Sequence, residues 1–135
     1  MKKFLIILVV LSKTTFAEVF DVDNKKLKIL LDQNIKLVDI RTLSEWKKTG
    51  VISESHLLSL VNEKGIYSLQ RWYQSFSNIK LRNNSVILIC AVGGRSKYIA
   101  KILNSIDKSL TIYNVKKGIL NWIRNKNPVV KYIKN

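Results

Sequence analysis

At 135 residues, with no repeat, no low-complexity tract and a single proline, the chain has the length of one compact domain, which excludes a solenoid or a multi-domain array. Its one cysteine excludes an internal disulfide framework. Lys and Arg number 24 against 9 Asp and Glu, a formal charge of +15, but the basic residues are spread along the chain and not gathered with aromatics; they point to a solvated cationic surface that attracts small anions and, weakly, acidic lipid head groups, and not to a nucleic-acid partner.

Residues 1–17 form a segment of their own. Lys2 and Lys3 precede an apolar run from Phe4 to Leu11 that is too short to span a membrane, Lys13 prevents its extension, and Thr15-Phe16-Ala17 supplies small residues for cleavage. The pattern predicts a signal peptide cleaved after Ala17, leaving 18–135 as the domain. Cleavage removes three lysines and no acid, so +15 becomes +12. Export to the periplasm or beyond would put the lone cysteine in an oxidising compartment, where it must stay free, pair with a partner or turn over.

Beyond that segment, hydrophobic periodicity predicts a helix near Lys25–Asp32, a strand Lys36–Ile40, a short helix Ser44–Lys48 and a strand near His56–Val61. A helix Tyr67–Phe76, a strand Val86–Ile89, a helix Lys97–Ile106, a strand Leu110–Tyr113 and a helix Ile119–Arg124 complete the chain. The alternation implies an α/β fold with a mostly parallel sheet covered by helices on both faces. Ligands of such sheets bind beyond the carboxyl ends of the strands, where both Cys90 and the Asp39-Ile40-Arg41 segment fall. Trp46, Trp72 and Trp122 read as packing residues, and His56, set among apolar neighbours, as a structural histidine.

Cys90 ends the apolar run Val86-Ile87-Leu88-Ile89 and opens the loop Ala91-Val92-Gly93-Gly94-Arg95-Ser96 into a helix whose apolar face repeats at Ile99, Leu103 and Ile106. Backbone N–H groups at a helix N-terminus lack intrahelical partners and favour an anion. Gly93 and Gly94 let the loop curl so that successive N–H groups point inward, and Arg95 adds a full positive charge nearby. Such surroundings favour the nucleophilic thiolate of a cysteine. Ser96 is placed to cap the helix, with a hydrogen bond toward the sulfur as the alternative. Asp39, Arg41 and Glu45 are read as a supporting salt-bridge set that pins the loop after the second strand.

Four residues separate Cys90 from Arg95, and the pattern C-x-x-G-x-R-S resembles the active-site loop of single-domain rhodaneses. The C-x5-R loop of cysteine phosphatases is one residue longer, which disfavours a phosphatase or an arsenate-reductase-like enzyme. The rhodanese resemblance extends to Val38-Asp39-Ile40-Arg41, Glu45-Trp46 and Gly50-Val51-Ile52 upstream, and to Val115-Lys116-Lys117-Gly118, Trp122 and Pro128-Val129 downstream. Val51 stands where that family usually has histidine, Glu54 where it often has glycine, and Lys117 replaces the first glycine of the closing motif.

The resemblance implies a sulfurtransferase in which Cys90 takes a sulfane sulfur from a small anionic donor such as thiosulfate and passes it, as a persulfide, to a thiol or cyanide-like acceptor. The loop 91–96 would bind the donor, and a protein could also serve as sulfur donor or acceptor. No metal or organic cofactor is implied, since the chain has no ligand-spaced Cys/His cluster and no dinucleotide or phosphate-loop fingerprint. A sulfur-carrier module with little turnover of its own is the competing reading.

Overall fold

The computed structural model describes residues 18–134; the predicted signal peptide over 1–17 lies outside them. In chain order the elements are β1 (Val19–Val22), α1 (Asn24–Asp32), β2 (Lys36–Asp39), α2 (Leu43–Thr49), β3 (His56–Leu57), α3 (Leu69–Ser77), β4 (Ser85–Ile89), α4 (Gly94–Ile106), β5 (Thr111–Val115) and α5 (Gly118–Arg124). All pairings within the sheet are parallel, in the order β1-β5-β4-β2-β3.

β4 lies at the centre and all five of its residues are buried, which is why it reads as an unbroken apolar run. Alternate side chains feed two cores. Val86, Leu88 and Cys90 pack with Trp72 and Phe76 of α3 and with Ile99 and Leu103 of α4. Ile87 and Ile89 pack on the opposite face with Leu27 and Leu30 of α1 and with Ile119 and Trp122 of α5. The three tryptophans are buried, as their reading as packing residues requires. Helix starts reflect local chemistry: Asp23 caps α1 by accepting from Lys26 N, and Thr42 with Glu45 forms a reciprocal capping box on α2.

The structure departs from the expected elements in several places, β5 among them, which runs over Thr111–Val115 and not Leu110–Tyr113. β1 has no counterpart among them, because only Val22 of its four residues is buried and an edge strand carries a weak apolar signal. The strand expected over His56–Val61 contracts to His56–Leu57, after which Val61 makes an isolated antiparallel bridge to Tyr67. α3 begins at Leu69, not Tyr67, because Ser68 caps it. α4 begins at Gly94, three residues before Lys97, with Gly93 in a left-handed conformation as its N-cap.

One buried ion pair fastens the end of β2. Asp39 and Arg41 are each 1% exposed. Arg41 donates from Nε and Nη2 to the carboxylate, from Nη1 to Thr49 Oγ1 at 2.7 Å and from Nη2 to the Gly50 carbonyl at 2.9 Å. The pair thus ties the strand to the C-terminal end of α2. Removing one partner strands a buried charge, so Asp39→Ala is expected to lower unfolding free energy in urea by about 3–5 kcal/mol. A loss under about 1 kcal/mol would show that Thr49 and Gly50 suffice to hold the guanidinium.

Candidate active site

The site is built where β4, α4 and the turn from β5 into α5 meet. Cys90 comes directly after β4 and is fully buried. Its carbonyl accepts from Ile119 N at 2.9 Å, and the Ala91 carbonyl accepts from Leu120 N at 3.1 Å, so the first free N–H groups of α5 hold the start of the loop. Gly118 (φ 65°) makes this approach feasible, because a Cβ there would collide with the Ala91 carbonyl. Gly93 (φ 98°) is equally constrained, a Cβ there colliding with the Lys116 carbonyl. Gly94 is not: its φ is ordinary and a Cβ would meet open space, so the curl rests on Gly93 alone of the two glycines.

The loop turns the Cys90 sulfur toward the N-terminus of α4. Sγ accepts from Gly93 N at 3.1 Å and from Ser96 N at 3.4 Å, and Ser96 Oγ lies 3.2 Å away. Ser96 is therefore not the helix cap: it sits inside the first turn of α4, and its hydroxyl also reaches Asn114 Oδ1 at 2.6 Å. Two backbone donors and the end of a thirteen-residue helix give the sulfur an electropositive seat. Ala91 is partly buried, and Val92, 66% exposed, forms the outer lip.

Arg95 spends its hydrogen bonds on Glu45, while its charge still bears on Cys90. Its guanidinium forks onto Glu45, Nη1 to Oε2 at 2.9 Å and Nη2 to Oε1 at 2.6 Å. Glu45 thus belongs to a bridge from α2 to the first turn of α4 and not to the Asp39–Arg41 pair; the expected three-residue set divides between two separate pairs. Glu45 also accepts from Thr42 N at 2.9 Å, so it still helps to pin the segment after β2. Arg95 lines a cleft of about 310 Å³ whose other walls include Ile40, Leu60, Val61, Tyr67 and Tyr98. A larger cleft of about 600 Å³ beside Trp46 and Tyr132 contains none of the candidate residues.

His56 sits half-buried in β3, and burial first, then the nearby Lys36, holds it below its ordinary range. Sequence reasoning missed Asn114 and Asp21. Asn114 is 2% exposed and stands one residue past the strand expected over Leu110–Tyr113; an asparagine among Ile112, Tyr113 and Val115 was the available signal. Asp21 lies in β1, the strand that periodicity does not reveal.

The Arg95 guanidinium holds the Glu45 carboxyl at about 2, with the Thr42 hydrogen bonds helping and burial opposing. A carboxylate depressed in the folded state adds stability above its ordinary value of 4.5, and that contribution is lost as pH falls through about 2. Urea midpoints measured at about pH 5 and about pH 2.5 should therefore fall more for the wild type than for Glu45→Gln. Equal falls would show that the bridge contributes nothing to stability.

A family model described as the rhodanese-like domain matches residues 23–125. Rhodanese-like domain-containing protein 17 of Arabidopsis thaliana is 27% identical over 139 residues, spanning 96% of this chain and 88% of that protein. The crystal structure of a rhodanese-related protein from Thermoplasma volcanium matches with a TM-score of 0.66 at 22% identity, covering 84% of this chain and 99% of the other. The solution structure of the polysulfide-sulfur transferase homodimer from Wolinella succinogenes matches with a TM-score of 0.63 at 21% identity, covering 83% and 78%. At these identities the two structures establish likeness of fold.

Proposed function

We propose that this chain, which belongs to the rhodanese-like domain family, is an exported sulfurtransferase that carries a sulfane sulfur as a persulfide on Cys90. The observation that carries this reading is the seat of the sulfur: Sγ lies at the N-terminus of α4 and accepts from two backbone N–H groups, an arrangement that favours an anion in each state of the cycle. The Cys90 thiolate attacks the outer sulfur of thiosulfate, the S–S bond of the donor breaks, and sulfite leaves with the electron pair. An acceptor such as cyanide then attacks the outer sulfur of the persulfide, forming thiocyanate and restoring the thiolate. The transfer is redox-neutral and needs no cofactor. The cationic surface supports it by concentrating an anionic donor.

Export rests on the lysine-led apolar segment and the small residues before the domain, and in the periplasm or outside the cell the single cysteine would have to stay free, pair with a partner or turn over. Weak association with an acidic membrane surface would result from the charge alone. Among the described residues no helix is long and apolar enough to cross a membrane.

A second reading has its own support. Cys90 is fully buried and Arg95 is engaged by Glu45, so a small anion meets neither an exposed sulfur nor a free guanidinium. Both features suit a carrier that receives sulfur from a protein donor able to open the loop. The same engagement of Arg95, with the four-residue spacing, argues against phosphate chemistry, which needs that fork on the substrate.

Initial rates with thiosulfate and cyanide should give parallel double-reciprocal lines, as a ping-pong cycle requires, and Cys90→Ser should abolish turnover. Intersecting lines would contradict a covalent intermediate. Absent turnover, restored only by a persulfidated partner protein, would select the carrier.

A further inference from the structure

The Ser96 hydroxyl has one proton to give and three acceptors within reach. Its distance to Asn114 Oδ1 is 2.6 Å, against 3.2 Å to Cys90 Sγ and 3.3 Å to the Gly93 carbonyl. The first is the length of a strong O–H···O bond. The orientation of the Asn114 amide is set from outside. Its Nδ2 donates to Asp21 Oδ1 at 2.9 Å, and more distantly to the Gly93 carbonyl at 3.5 Å. An ionised carboxylate only accepts, so the amide nitrogen faces Asp21 and the amide oxygen faces Ser96. Asp21 in turn is held on its other oxygen by Lys97 Nζ at 3.0 Å. The Asn114 and Lys97 bonds keep its carboxyl below the ordinary carboxylate value, so it is ionised at neutral pH.

We propose that Asp21 and Asn114 set the direction of the Ser96 hydroxyl: it gives its proton to Asn114 and turns a lone pair toward Cys90, accepting from the thiol S–H instead of donating to the sulfur anion. The anion is then held by the Gly93 and Ser96 backbone N–H groups alone, and Asn114 is a positioning residue that acts on the sulfur through Ser96. This inference rests on Cys90 as the reacting thiol, but the titration that tests it uses no sulfur donor, so it can fail with sulfur transfer intact, and the reverse.

The charged groups that bear on the sulfur or on its neighbours are Arg95 of α4, which interacts with Cys90, Glu45 of α2 and Asp39 of β2, and Asp21 of β1, which interacts with Lys97 of α4 and with Lys116 from the turn after β5. Ser96 and Asn114 carry none, so substituting them leaves these charges in place. The experiment monitors the thiolate ultraviolet absorbance of the full domain against pH for wild type, Ser96→Ala, Asn114→Leu and the double variant. Freed from Asn114, the hydroxyl would donate to the anion, so Asn114→Leu should lower the pH of thiolate formation by about one unit, the scale of one hydrogen bond to a charged group. In the Ser96→Ala background the same change should produce no shift, and Ser96→Ala alone should not move thiolate formation to higher pH.

An upward shift for Ser96→Ala would overturn the proposal, because it would mean that the hydroxyl donates to the anion in the wild type. Equal shifts for Asn114→Leu in both backgrounds would overturn it as well. If Asn114→Leu fails to fold, Asp21→Asn at the sheet edge replaces it. Its lost charge acts in both backgrounds, so a larger downward shift with Ser96 present than absent supports the proposal, and equal shifts refute it.

Discussion

The docking of one helix end onto one loop is the constraint on which the site depends. The N–H groups of Ile119 and Leu120, unpaired by nature at the start of α5, are satisfied by the carbonyls of Cys90 and Ala91. That arrangement requires backbone to meet backbone at Gly118 and again at Gly93, where side chains would collide. Once the loop is seated there, it enters α4 through a left-handed residue. The unpaired N–H groups at the start of this second helix then fall around the sulfur of Cys90. Two helix N-termini therefore act on one short loop, α5 on its carbonyls and α4 on the sulfur.

Charge enters at two depths. The Asp39–Arg41 pair is buried and directional, holding strand to helix below the site. The Glu45–Arg95 pair is half-exposed, with side chains 30% and 41% exposed, and it engages the Arg95 guanidinium through both terminal nitrogens. A buried pair of this kind fixes position, whereas an exposed one is screened and can be exchanged. Of the charged pairs at the site, that of Arg95 is therefore the one held less firmly. The cleft against which Arg95 lies is walled largely by apolar side chains.

The fold is legible in the sequence because its central strand is buried on both faces and its helices carry amphipathic repeats. Val86 to Ile89 cannot be mistaken when Gly93 and the repeat at Ile99 and Leu103 come after them. β1 is not legible, because an edge strand with one buried side chain has almost no periodic signal. Apolar spacing puts the start of α4 at Lys97, while the backbone conformation at Gly93 starts the helix earlier. Cys90 and its loop can be read locally. The partners of Arg95 and Ser96 cannot, since Glu45 is 50 residues away and Asn114 is 18, and only the parallel order of the sheet brings them together.

The most direct measurement is the intact mass of the domain after incubation with thiosulfate, beside Cys90→Ser treated identically. A sulfur carried on Cys90 appears as a gain of one sulfur atom in the wild type alone, reversed by a thiol reductant. An unchanged wild-type mass, with the domain folded and Cys90 reduced, would contradict the transfer of sulfur from a small anionic donor to this residue.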